Sequence, residues 1–165
     1  SLLNDEVIGD KTNVIRTPVG EANVVTRMEK ENSLVGGEGN GGVIFSPFHA
    51  GRDSYVGMLL VLNTLVKTEK TIDELVGDLT SFYNLKEKLE NIEVTDDTIR
   101  EIKETFYKGK YNFDDGIHYI EESSEGKFWF LIRESNTEPI VRLQIEATEE
   151  KFFKAVTKKI KEILK

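Results

Sequence analysis

Between residues 36 and 42 the chain reads Gly36-Gly37-Glu38-Gly39-Asn40-Gly41-Gly42, five glycines in seven positions, and Val43-Ile44-Phe45 follows at once. Glycine loses more backbone entropy on folding than any other residue, so a run this dense suits a turn between elements better than the interior of one. The flanks predict a short strand at Ser33 to Gly36 and a second at Val43 to Phe45, joined by a glycine hairpin. The run also holds the spacing Gly-x-Gly-x-x-Gly at Gly37, Gly39 and Gly42, which in a dinucleotide site opens a helix onto the pyrophosphate. Here a strand follows instead. Glu38 would stand among the amides where a phosphate belongs, and no Lys-Ser/Thr pair follows to complete a nucleotide loop. A carboxylate and a carboxamide on a glycine hairpin suit a neutral polyol, because Glu38 accepts two hydroxyl hydrogen bonds and Asn40 both donates and accepts. Taken alone, the run suits a plain hairpin tip equally well.

Around this hairpin the first half of the chain alternates helical and extended signals. Val24, Val25 and Met28 recur at helical spacing within Glu21 to Asn32. Ser46 to Arg52 reads as a turn, after which Asp53 is placed to cap a helix reaching about Thr68. That helix is apolar on nearly every side, which predicts a buried element of a layered α/β domain. Thr71-Ile72-Asp73-Glu74 has capping-box spacing and opens a short helix. From about Leu79 the texture changes. Thr80 to Asn91 mixes apolar and charged residues without long runs, so a boundary is set between Thr80 and Leu85, dividing 1–81 from 82–165. Beyond it the pattern predicts a helix at Thr98 to Tyr107, strands at Ile117 to Glu121, Lys127 to Arg133 and Ile140 to Ala147, and an amphipathic helix from Glu149 to Lys165. The fold class expected is a partial three-layer α/β domain followed by an α+β domain, an antiparallel sheet with helices on one face.

Composition removes several classes of function. With 30 acidic against 22 basic side chains, a net charge of −8 and a pI near 4.9, the chain lacks the clustered cations of a nucleic-acid binder. The lysines of the last helix, Lys151, Lys154, Lys158, Lys159, Lys161 and Lys165, read as a solvated face that suits the helix dipole. The absence of Cys excludes disulfide scaffolds, thiol catalysis and thiolate zinc sites, and fits a cytoplasmic protein. The longest apolar run, Val56 to Leu62, is far short of the roughly 18 to 20 residues that span a bilayer.

A second unusual stretch is Arg133-Glu134-Ser135-Asn136-Thr137-Glu138-Pro139, joining two expected strands, with Arg142 at the start of the returning one. Two guanidinium groups, two hydroxyls, an amide and the backbone N–H groups of one turn form a donor-rich cup suited to a phosphate monoester dianion. A polar turn with surface arginines has the same spacing. Ser46 and His49 lack a third group to orient a base, and His49, Asp53 and His118 make no metal spacing. Asp114-Asp115-Gly116 reads as a turn entering a strand.

Arg16-Thr17-Pro18-Val19-Gly20, Gly37-Glu38-Gly39-Asn40-Gly41-Gly42, Gly51-Arg52-Asp53 and the Arg133 to Pro139 stretch together resemble, in order, the C-terminal half of the α-D-phosphohexomutases. That family includes phosphomannomutase, phosphoglucomutase and phosphoglucosamine mutase. The resemblance implies a four-domain enzyme that moves a phosphoryl group between C1 and C6 of a hexose phosphate through a hexose 1,6-bisphosphate intermediate, with Mg2+ as cofactor. Carried over residue by residue, Glu38 and Asn40 match the sugar-hydroxyl loop of the third domain. Arg133, Ser135, Asn136, Thr137 and Arg142 match the phosphate loop of the fourth. Gly42 stands where some members have His, and Asn136 where many have Gly. The family's Ser-His-Asn-Pro-like phosphoserine loop and its Asp-x-Asp-x-Asp magnesium loop do not occur. The resemblance therefore implies a piece of a longer chain, with no catalytic or metal-binding residue of its own and no turnover alone, its partners being the N-terminal domains of the same protein. The alternative is a stand-alone sugar-phosphate binding or regulatory module.

Overall fold

A computed structural model of the chain describes residues 13–77, 79, 81–135 and 138–165. They divide into two compact units, one reaching Leu79 and the other running from Thr80 to Lys165.

Among the described residues the first element of the first unit is α1 (Glu21–Glu31), which buries Val24 and Met28 one turn apart and stops at Asn32, whose φ of 53° turns the chain out of the helix. Three short strands follow, β1 (Val35–Gly37), β2 (Val43–Phe45) and β3 (His49–Arg52), paired antiparallel in that order. Helix α1 lies directly on β1. A Cβ at Gly36 would sit 2.2 Å from the Met28 sulfur and 2.9 Å from Val24 Cγ1, so this contact requires glycine. Val24, Met28 and Ile44 make a small core, with Val25 at its edge. Asp53 caps α2 (Ser54–Thr68) as expected, accepting from the Tyr55 and Val56 N–H groups, and Thr71 and Glu74 form the reciprocal capping box of α3 (Ile72–Val76).

Two expectations for this unit are corrected. His49 to Arg52, read as part of a turn, is a strand, because Ile44 pairs with Arg52 and Phe45 with His49 across a bulge. The second concerns α2, which is not buried. Val56 alone is enclosed, while Tyr55, Met58, Leu59, Val61, Leu62 and Val66 stand at least half exposed. The reason is size. A helix of 15 residues is about 22 Å long, and a sheet of strands with three to four residues covers only the turn near Gly57, which packs on Val43.

The second unit is a five-stranded antiparallel sheet in the order β4-β8-β7-β6-β5, formed by β4 (Tyr83–Glu90), β5 (Lys110–Asn112), β6 (Ile117–Ser123), β7 (Gly126–Glu134) and β8 (Ile140–Ala147). Helices α4 (Asp96–Thr105) and α5 (Glu150–Ile163) cover one face. Phe128, Phe130, Ile132, Val141, Leu143, Ile145 and Ala147 alternate along β7 and β8 toward those helices and enclose Ile102, Phe106, Val156 and Ile160. The expected antiparallel sheet with helices on one side is present, and it is wider than the sequence reading allowed. Tyr83 to Glu90, left without an element, is the strand β4, pairing with β8 over its whole length. Among the described residues no helix is long and apolar enough to cross a membrane.

Candidate functional site

The glycine run closes the β1–β2 hairpin. Gly37 pairs with Val43, the Glu38 N–H donates to Gly42 O at 3.0 Å, and the Gly42 N–H donates to Asn40 Oδ1 at 2.9 Å. Gly41 has φ 90°, a conformation that favours glycine. Asn40 is thus fixed by its own turn through its side-chain oxygen. Glu38 is fixed by a residue of β3, since its carboxylate lies 3.1 Å from Arg52 Nη1 and is 13% exposed. Arg52 in turn is held by Glu21 at the start of α1: its backbone N–H and its Nε each donate to one Glu21 oxygen at 2.8 Å. Those hydrogen bonds, the backbone one foremost, hold the Glu21 carboxyl below its usual range, while Glu21 and then Glu38 raise the Arg52 guanidinium. Gly42 makes room for this chain of contacts. A Cβ there would meet Arg52 Cδ at 2.4 Å, so a larger residue at this position would displace the Arg52 stem that reaches Glu38.

The second candidate lies where β7 turns into β8. Ser135 N–H donates to Ile140 O at 2.9 Å, closing the turn, while Asn136 and Thr137 lie outside the described residues. Arg133 and Arg142 are direct cross-strand partners on the sheet face away from the helices, and Lys88 of β4 is the partner of Arg142 on its other side. Three cations therefore form one row across three strands. Like charges directly opposed destabilise a sheet, so the arrangement calls for an anion. Protein carboxylates meet part of that demand. Glu138 reaches Arg142 Nη2 at 3.3 Å and Lys88 Nζ at 3.4 Å, and Asp115 reaches Arg133 Nη1 at 3.2 Å. Arg142 Nε is shielded from solvent and has no hydrogen-bond partner among the described residues. A buried donor left unpaired costs about 1–3 kcal/mol.

Each of these sites contains residues that the sequence reading did not single out. Lys88 was hidden because β4 was unassigned; apolar Tyr83, Leu85 and Leu89 at even spacing are the period-two signal that would have found it. Asp115 and the Glu21–Arg52–Glu38 chain join residues 14 to 31 positions apart, and no local pattern announces such pairs. No group of three or more His, Asp or Glu side chains among the described residues is arranged to hold a metal ion, so Mg2+ has no fitting donor set there.

Known proteins match the chain along both units. The model for the phosphoglucomutase/phosphomannomutase alpha/beta/alpha domain III matches residues 1–83, and that for the phosphoglucomutase/phosphomannomutase C-terminal domain matches residues 88–163. A phosphoglucomutase/phosphomannomutase of Thermococcus kodakarensis is 33% identical over 91% of this chain and 32% of its own length. A phosphoglucosamine mutase of Methanococcus maripaludis is 32% identical over 96% of this chain and 36% of its own. The chain thus spans about a third of the length of these curated relatives. A crystal structure of a phosphoglucomutase/phosphomannomutase family protein from Burkholderia thailandensis superposes with a TM-score of 0.65, at 21% identity, over 88% of this chain and 31% of that one, which bears on the fold alone. With the two domain models matched one after the other along nearly every residue, the chain belongs to the phosphoglucomutase/phosphomannomutase family.

Proposed function

We propose that this chain is the substrate-binding C-terminal part of a phosphohexomutase that interconverts hexose 1-phosphate and hexose 6-phosphate through a hexose 1,6-bisphosphate. In this reading the turn between β7 and β8 grips the phosphate that is not being transferred. Arg133 and Arg142 supply charge, and Ser135, Asn136 and Thr137 supply neutral donors. The observation that carries the reading is the row of opposed cations with a shielded, unpaired Arg142 Nε at its centre. A phosphate dianion offers acceptors to both guanidinium groups at once and relieves their repulsion. Glu38 supports the sugar half of the reading. Its carboxylate is ion-paired with Arg52, and its Oε2 is shielded without a hydrogen-bond partner, so an acceptor stands ready for a hydroxyl. Transfer of the phosphoryl group needs a phosphate donor and a cation to offset developing charge. We assign the phosphoserine and Mg2+ to parts of the protein beyond these residues, and the chain by itself is expected to bind without turnover.

Titration calorimetry of glucose 1-phosphate into the 165-residue chain tests this. Losing one charge-assisted donor costs about 1.5–3 kcal/mol, so Arg133→Ala and Arg142→Ala should each weaken binding at least tenfold. An unchanged dissociation constant in both variants refutes the phosphate assignment.

A further inference from the structure

We infer that Asp115 is a positioning residue for the phosphate turn, holding the Arg133 guanidinium by one nitrogen so that its other nitrogens are presented to the ligand. The inference rests on the phosphate reading of that turn. Both Asp115 oxygens contact the same Arg133 atom, Nη1, at 3.2 and 3.3 Å. Nη2 and Nε are not engaged by this carboxylate. A guanidinium carries five N–H donors in a fixed plane, so fixing one nitrogen fixes the directions of the rest. The pair is partly enclosed, with side chains 22% and 27% exposed, where a charge pair is less screened than on an open surface.

Asp115 is itself held by a turn whose shape leaves little freedom. Asn112 Oδ1 accepts from the Asp114 N–H at 2.7 Å, and Asn112 Nδ2 donates to the Asp114 carboxylate at 3.1 Å. Gly116 follows with φ 91°, and a Cβ there would lie 2.4 Å from Ile132 O and 3.1 Å from Arg133 Cα. The β5–β6 turn is therefore pressed against the backbone of Arg133 itself. A carboxylate on so fixed a support orients its partner, whereas a mobile one would merely neutralise it.

The two roles predict opposite signs. If Asp115 acted only through its charge, its removal would strengthen binding of an anion. If it positions Arg133, removal weakens binding despite the more positive field. The test is a double-mutant cycle on the 165-residue chain, read as the affinity for glucose 1-phosphate and, separately, for inorganic phosphate. Asp115→Ala is expected to weaken both at least fivefold, with Asp115→Asn, which keeps the shape and one acceptor, falling between it and the unaltered chain. In an Arg133→Ala background, Asp115→Ala should weaken neither. Amide spectra of every variant check that the fold persists. Tighter or unchanged binding by Asp115→Ala or Asp115→Asn overturns the inference, as does an equal loss in both backgrounds. An Arg133→Ala chain that binds as well as the unaltered one defeats the phosphate reading, and the inference falls with it. Loss in Arg133→Ala with none in the Asp115 variants defeats the inference alone.

Discussion

The Tyr119 hydroxyl shows how far a single group in the second unit is removed from water. Its ring is fully enclosed, its oxygen donates to Glu121 Oε2 at 2.5 Å, and it accepts from the Gly109 N–H at 2.7 Å. Burial first, and then the hydrogen bond to Glu121, raises its pKa far above the ordinary phenol value of 10.0. Tyr111, whose hydroxyl donates to Phe106 O at 2.7 Å, is pushed up by burial to about 12. Both phenols are held neutral in the folded state and ionise near 10.0 when unfolded. Their contribution to stability is therefore complete below pH 10 and is lost as pH rises toward the folded values. Tyrosine-selective NMR titration should find these two rings unchanged at pH 10.5, with ionisation accompanying unfolding above that. A Tyr119 ring that ionises near pH 10 while its neighbours stay folded would contradict the burial described.

Among the elements, α2 separates what sequence dictates locally from what it leaves to packing. Its start was legible in the single residue Asp53, whose carboxylate meets two of the helix's unpaired N–H groups. The Val56 N–H foremost, then the His49 ring 3.2 Å from Oδ2 and the Tyr55 N–H, hold the Asp53 carboxyl below its usual range. The resulting stabilisation is present above about pH 4 and is lost as pH falls through the depressed value. Asp53→Ala should lower the urea midpoint of unfolding at pH 7. Asp53→Asn, an equally good cap, should cost far less at pH 7 and lose less stability between pH 4 and pH 2. A cost for Asn equal to that for Ala would mean that charge, and not capping, dominates. The surroundings of α2 were not legible, because hydrophobicity all round states what a helix can bury and says nothing of what lies beside it. The same division runs through the site. Arg133 and Arg142 announce themselves by spacing around a turn, and the glycine hairpin by composition. Lys88 and Asp115 reach the row only through the register of a sheet whose first strand, with charge at Lys86, Glu87 and Lys88, hides a period of two.

In the molecule as a whole the two units hold unequal cores: among the described residues, a cluster of fourteen buried side chains in the second and three in the first. The second should outlast the first in hydrogen exchange, since the protection of an amide follows the apolar contacts that must open to expose it. Within that unit the order of strands in space departs from their order in the chain at one place. The ladders from β5 to β8 join neighbours in sequence, whereas β4 pairs with β8 between residues 50 to 64 positions apart, from Glu90↔Ile140 to Tyr83↔Ala147. Long closures contribute only after their loop entropy has been lost, so the hairpins form early and β4 docks late. In stopped-flow refolding, Ile145→Val should slow folding, while Leu89→Ala should chiefly speed unfolding; the reverse would place β4 in the nucleus. On the ribosome this topology imposes a wait. Strand β4 is synthesised before every other strand of its sheet, yet its partner is the last of them to emerge. Through that interval Lys86, Glu87, Lys88 and Glu90 keep an unpaired edge from recruiting another chain.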